Sequence, residues 1–219
     1  MTASEWQRGL VFFFLYLLVF PHLNAWAQRL IWGDGEILVA EANVVYYTFL
    51  FALTLFVFWS FLKQNFIELL DWLPENLFGI VVGLAGAGML YLLVSLLPFP
   101  VPDPISLQYA AQFAIAPVPT AVLVLILIPV VEETVFRGLI FGKLRNYSRP
   151  MALVVSALLY AVACVWRYAL DYSDPRYLLL AVLYLPMSIA LTWCYDNGGS
   201  VWGAVVLHSA INGTILLAA

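Results

Sequence analysis

The stretch PTAVLVLILIPVVEETVFRGLIF, residues 119–141, decides how this chain can fold. A helix that crosses a bilayer needs about 20 mostly apolar residues, and this stretch has that length. Three charged residues, Glu132, Glu133 and Arg137, interrupt its apolar run. The stretch therefore predicts a membrane-spanning helix that carries charged groups at membrane depth.

The composition of the whole chain agrees with this prediction. Of the 219 residues, 64% are hydrophobic and 10% are charged, whereas soluble domains carry roughly 25% charged residues. The formal net charge of −4 is scattered, without the basic run that is typical of nucleic-acid binding. We therefore expect an integral membrane protein whose partners include the lipid bilayer but no nucleic acid.

Apolar stretches recur along the chain without a polar block that would fold separately. Breakers such as Asp34 and Gly35 predict short connections. Residues 103–117 are too few and too polar to span, and they predict an interfacial or re-entrant helix. We expect one all-α membrane domain over residues 1–219, with about seven transmembrane helices at residues 9–26, 44–62, 77–97, 119–141, 151–167, 178–195 and 201–217.

Basic residues near the span ends favour an orientation with the N-terminus inside. In that orientation Lys143, Arg145 and Arg149 cluster on the cytoplasmic side, as the positive-inside rule predicts for short loops.

The charged residues of the fourth span are the first candidates for function, because ionisable groups at membrane depth cost about 2.5–3.5 kcal/mol on insertion scales. Glu133 and Arg137 are four residues apart, so on a helix they can form an ion pair. Glu132 points about 100° away and lacks that partner. Such a carboxylate can act as a general base on water. The alternative is a purely structural ion-pair network between helices.

His208 and Asn212 form a second pair in the seventh span. They are also four residues apart and project from one helix face. Imidazole and carboxamide N–H groups are donors that stabilise the oxyanion formed when a peptide carbonyl is attacked. The pair therefore fits an oxyanion hole, and ordinary hydrogen bonding between membrane helices is the alternative.

Three motifs, in order, resemble the CAAX prenyl protease and bacteriocin-processing family, also called Abi-type intramembrane proteases. The first is EETVFRG at 132–138, followed by a basic stretch. The second is SALLYAVAC at 156–164, with Tyr160 as its aromatic residue. The third is GSVWGAVVLHSAIN at 199–212. The resemblance covers residues 117–219.

The resemblance implies an intramembrane endopeptidase of the glutamic type, which hydrolyses a peptide bond in a membrane-associated or lipidated peptide or protein. Glu132 and the second-motif histidine would activate water, and His208 and Asn212 would stabilise the oxyanion. The supporting residues would be Glu133, Arg137 and Tyr160. The active-site cavity would lie between helices 4, 5 and 7, in a prokaryotic cytoplasmic membrane.

The chain departs from the family pattern at Cys164, which occupies the position of the second-motif histidine. A thiol can assist Glu132 as a weaker partner, so catalysis can persist without a cofactor. Glu132, Cys164 and His208 can alternatively ligate zinc, since all three side chains are zinc ligands. A third possibility is a catalytically degenerate protein that acts in binding or immunity. A transporter is a further alternative, but the internal repeats typical of transporters are absent from the sequence.

Overall fold

The computed structural model describes residues 1–32 and 39–218, which form helices joined by short connections. No strand occurs in this described part of the chain. The prediction of an all-α polytopic membrane protein is confirmed. We number the helices α1 (Ala3–Ile31), α2 (Glu41–Asp71), α3 (Leu73–Ser95), α4 (Pro104–Ile115), α5 (Pro117–Leu144), α6 (Arg149–Asp171), α7 (Pro175–Gly198) and α8 (Val201–Leu217).

Six of these helices, α1 to α3 and α5 to α7, are long and apolar enough to cross a membrane. The predicted seventh span, α8, is apolar but shorter. The segment predicted as interfacial or re-entrant forms the short helix α4, whose first turn is capped by the Asp103 carboxylate. The first connection, predicted at Asp34 and Gly35, lies outside the described residues.

Helix α5 is the central helix of the bundle. In its most apolar window 61% of the residues are buried, against 17–39% in the other five spans. Helices α1, α2, α6 and α8 pack around it. Glu132, Glu133 and Arg137 of α5 therefore lie inside the bundle, which is the usual arrangement of ionisable residues in membrane helices.

A proline explains how α8 docks on α5. Pro129 has no N–H and cannot bond to the carbonyl of Leu125, four residues earlier. That part of α5, Leu123–Leu127, is π-helical. The Leu125 carbonyl instead accepts a hydrogen bond from Ser209 Oγ of α8, at 2.6 Å. The break in the helix thus provides an attachment point for the helix that carries His208.

Helix α1 is also irregular, with a π-helical turn at Leu15–Val19 just before Pro21. Its first part is anchored on α2 by Glu5, which is buried and accepts a hydrogen bond from the Phe61 backbone N–H at 3.1 Å. Helix α2 is kinked at Phe58, three residues earlier. The Glu5 carboxylate therefore bonds to a backbone N–H near a kink, where the regular hydrogen-bond pattern of the helix is interrupted.

Candidate active site

Glu132 and Glu133 follow each other on α5 but lie in different surroundings. Glu133 is fully buried. Glu132 is partly exposed and lines a cavity of about 390 Å³ between the helices. The rotation of about 100° between successive helical residues accounts for the divergence. One carboxylate thus belongs to the packed interior and the other to the cavity.

A network of polar groups surrounds Glu133. Its Oε1 accepts a hydrogen bond from Arg137 Nη1 at 3.1 Å and lies 2.7 Å from His208 Nδ1. Arg137 Nη2 donates to the carbonyl and the hydroxyl of Ser188 on α7, at 3.1 and 3.0 Å. The guanidinium also lies over the Tyr160 ring, 4.5 Å from its centroid. The predicted Glu133–Arg137 ion pair is present, and it connects α5 to α6, α7 and α8.

Helix α6 is held against α5 beside this network. Ser156 Oγ donates to the Phe136 carbonyl at 3.1 Å, within the π-helical turn Thr134–Phe141. The rings of Phe136 and Tyr160 pack edge to face, with centroids 5.2 Å apart. These contacts place the second sequence motif, which ends at Cys164, next to the first.

Glu132 has a partner that the sequence did not predict. Tyr16 of α1 donates from its hydroxyl to Oε1 of Glu132 at 3.2 Å, across 116 positions of sequence. Tyr16 lies outside all three motifs. The one local signal is Pro21, which predicts irregular backbone in this part of α1 but no contact with α5.

The residues predicted at the active site line one cavity. Glu132 comes from α5, Tyr160 and Cys164 come from α6, and His208 and Asn212 come from α8. The cavity therefore lies between the predicted spans four, five and seven, and α1, α2, α4 and α7 complete its walls. Other polar lining residues include Asn24, Gln28, Asn43, Ser106, Gln108, Arg167 and Asp171.

Both oxyanion candidates are held by α5. His208 Nδ1 contacts Glu133, a contact that was not predicted, and Nε2 is the ring nitrogen that remains for a ligand. Asn212 Nδ2 donates to the Val124 carbonyl at 2.9 Å, and its amide group carries a second N–H. In each side chain one polar group therefore contacts α5. A second group, His208 Nε2 or the other Asn212 N–H, is available to a substrate.

Cys164 is a free, partly buried thiol. The zinc ligands considered from the sequence, Glu132, Cys164 and His208, all line the cavity. Among the described residues, however, no three His, Cys, Asp or Glu side chains are grouped closely enough to hold a metal ion. This arrangement does not fit a zinc centre built from these three residues.

Comparison with known proteins confirms the family resemblance. Residues 114–214 match the family described as type II CAAX prenyl endopeptidase Rce1-like. The UPF0177 protein YxdF of Lactococcus lactis subsp. lactis (strain IL1403) is 30% identical over 87 residues, which are 40% of this chain and 42% of that protein. The match thus spans less than half the length of this curated relative. No solved structure matches the chain.

Proposed function

We propose that the protein is an intramembrane endopeptidase, because residues 114–214 match the family described as type II CAAX prenyl endopeptidase Rce1-like. It hydrolyses a peptide bond in a membrane-associated or lipidated peptide or protein. The observation that carries the proposal is the separation of two adjacent carboxylates. Arg137 neutralises Glu133 in the interior, whereas Glu132 lines the cavity together with His208 and Asn212.

In the proposed reaction Glu132 is the general base. It takes a proton from a water molecule in the cavity while the water oxygen attacks the scissile carbonyl carbon. The carbonyl oxygen becomes an oxyanion. The C–N bond then breaks, and Glu132 returns the proton to the leaving nitrogen. We propose no cofactor for this scheme.

His208 and Asn212 are the proposed donors to the oxyanion. Both line the cavity from α8, which agrees with their shared helix face. If Nδ1 of His208 donates to Glu133, the ring can also donate from Nε2 only when both nitrogens carry protons. The proposal therefore includes a doubly protonated His208, paired with the Glu133 carboxylate, during the attack on the carbonyl.

The cavity lining supports a peptide as the substrate. Amide side chains such as Gln28 and Gln108, and the charged side chain of Arg167, line the same space as Glu132. Such groups can hydrogen-bond to the N–H and C=O groups of a peptide backbone, which a lipid chain lacks.

We also propose a prokaryotic cytoplasmic membrane with the N-terminus inside. The bacterial origin of the relative supports the first part of this proposal. The cluster of Lys143, Arg145 and Arg149 at the connection between α5 and α6 supports the second part.

A non-catalytic binding or immunity protein is the second candidate function. It is favoured by Cys164, because a thiol is a weak hydrogen-bond donor and cannot act as the histidine that the family motif has at this position. Such a protein would hold a membrane-associated peptide in the cavity without cutting it.

The test is cleavage of a library of membrane-associated peptides, with and without an attached lipid, by the purified full chain in liposomes. We expect Glu132→Gln to lower cleavage by about 10²- to 10⁴-fold, which is the usual contribution of a general base. Glu75→Gln, which changes an exposed carboxylate at the start of α3, is the matched control and should cleave like the wild type.

Each outcome separates the candidates. Cleavage that requires Glu132 and persists in the presence of a chelator supports the glutamic scheme. Loss of cleavage with a chelator, or equal cleavage by Glu132→Gln, contradicts it. Peptide binding without cleavage by the wild type favours the binding protein instead.

A further inference from the structure

We infer that Tyr16 of α1 is a positioning residue of this protease, and that its phenol orients Glu132 where the family motif would use a histidine on α6. The inference rests on the proposed function. It extends the site to the first helix, which lies outside the residues that match the family, 114–214.

The contact itself is well suited to this role. Tyr16 is buried and lines the cavity, and its hydroxyl donates to Oε1 of Glu132 at 3.2 Å. A hydrogen bond from a neutral donor to a carboxylate is stronger than one between two neutral groups. It restricts rotation of the Glu132 side chain, so that the carboxylate is already directed when a water molecule enters the cavity.

The backbone around Tyr16 has an unusual conformation. Tyr16 is part of the π-helical turn Leu15–Val19, and single π-helical turns in α-helices occur frequently at functional sites because they change the direction of side chains. The Tyr16 ring also stacks on Phe12, with centroids 6.3 Å apart and an interplanar angle of 11°. The phenol is therefore held in place by packing as well as by its hydrogen bond.

The depth of α1 in the bundle is set by close contacts on either side. A Cβ atom added at Gly9 would lie 2.7 Å from side-chain atoms of both Leu139 on α5 and Phe58 on α2. Only glycine permits this approach of the helices. Such anchoring matters for a positioning residue, because a displacement of about 1 Å can cost about 100-fold in rate.

The cysteine at position 164 is the reason why the hydrogen bond from Tyr16 to Glu132 matters. It lines the same cavity as Glu132, but a thiol is a weaker donor than an imidazole N–H or a phenol O–H. With cysteine at position 164, that position does not supply a strong donor. The Tyr160 phenol of the same helix also neighbours Glu132, and Tyr16 donates to the carboxylate from α1.

The experiment compares kcat and KM for wild type, Tyr16→Phe, Cys164→His and the double variant, all as full chains in liposomes. We expect Tyr16→Phe to lower kcat about 10- to 100-fold with KM nearly unchanged, because one hydrogen bond to a charged group is lost. In the Cys164→His background the same change should lower kcat by less than about threefold, because the two groups serve one carboxylate.

Tyr195→Phe is the matched control. It removes a phenol that is buried like that of Tyr16 but does not line this cavity. Its kcat should equal that of the wild type. The thermal unfolding temperatures of the two phenylalanine variants should also agree, which excludes a folding defect as the cause of a lower kcat.

The inference is overturned if the wild type cleaves and Tyr16→Phe cleaves equally well, an outcome that leaves the proposed function intact. Equal losses in both backgrounds, or a change in KM alone, would assign Tyr16 a structural role and also overturn it. No cleavage by the wild type contradicts the proposed function itself.

Discussion

The two sides of α5 carry the same type of side chain in different environments. On the buried side, Glu133 and Arg137 form an ion pair, and Arg137 also donates hydrogen bonds to Ser188 of α7. On the cavity side, Glu132 accepts a hydrogen bond from Tyr16 of α1 and shares the cavity with Cys164 of α6. A carboxylate that is paired in the interior contributes to structure, whereas one that faces a cavity is a candidate for proton transfer.

The largest expected effect is on the buried side. Arg137→Leu leaves Glu133 buried without its cation and removes the contacts with Ser188. We expect a loss of about 3–5 kcal/mol in the free energy of unfolding, as for other broken buried ion pairs. Denaturant unfolding in detergent, followed by circular dichroism, measures this change.

Two further variants sharpen this prediction. Arg149→Leu removes an exposed guanidinium from Asp196, which still pairs with Arg145, and it should cost no more than about 1 kcal/mol. The double variant Glu133→Leu with Arg137→Leu should recover part of the loss, because neither the carboxylate nor the guanidinium of this pair is left buried without the other. If Arg137→Leu is as stable as the wild type, the buried side does not stabilise the fold.

The second effect concerns the point where α8 meets the cavity. Asn212→Ala should lower kcat by about 100-fold, the usual cost of losing an oxyanion donor. It should lower stability by only about 1 kcal/mol through the lost hydrogen bond to Val124. Cleavage kinetics and thermal unfolding of the same preparation separate the two effects.

Ser209→Ala is the matched control for Asn212→Ala. Ser209 also bonds to an α5 carbonyl, that of Leu125, but it does not line the cavity. Its loss should affect stability to a similar extent and leave kcat unchanged. Equal kcat losses in both variants would mean that Asn212 acts only by holding α8 against α5.

The smallest expected effect is a gain on the cavity side. Cys164→His restores the residue of the family motif beside Glu132, and we expect kcat/KM to rise about tenfold through a second group that can take part in proton transfer. Cys164→Ala is the control and should show no gain. An unchanged kcat/KM in Cys164→His, in a protein that still binds peptides, favours the binding or immunity function.

Much of the architecture followed from local properties. Hydrophobicity and length predicted the spans, and residues four apart on α5 formed the predicted ion pair. The motifs predicted which helices would share a cavity. The roles of Glu132, Cys164, His208 and Asn212 stay predictions, because cleavage has to be measured to assign them.

The sequence by itself therefore determined the properties of single helices: their lengths, their apolar character and the residues that share a face. The apolar character follows from the residue types, and the length and shared faces follow from the rise of about 1.5 Å and the rotation of about 100° per residue in an α-helix. Only the tertiary structure decided that Tyr16 meets Glu132 and that His208 meets Glu133. Such contacts depend on the depth and rotation of packed helices, and a shift of one residue in either helix would bring different side chains together.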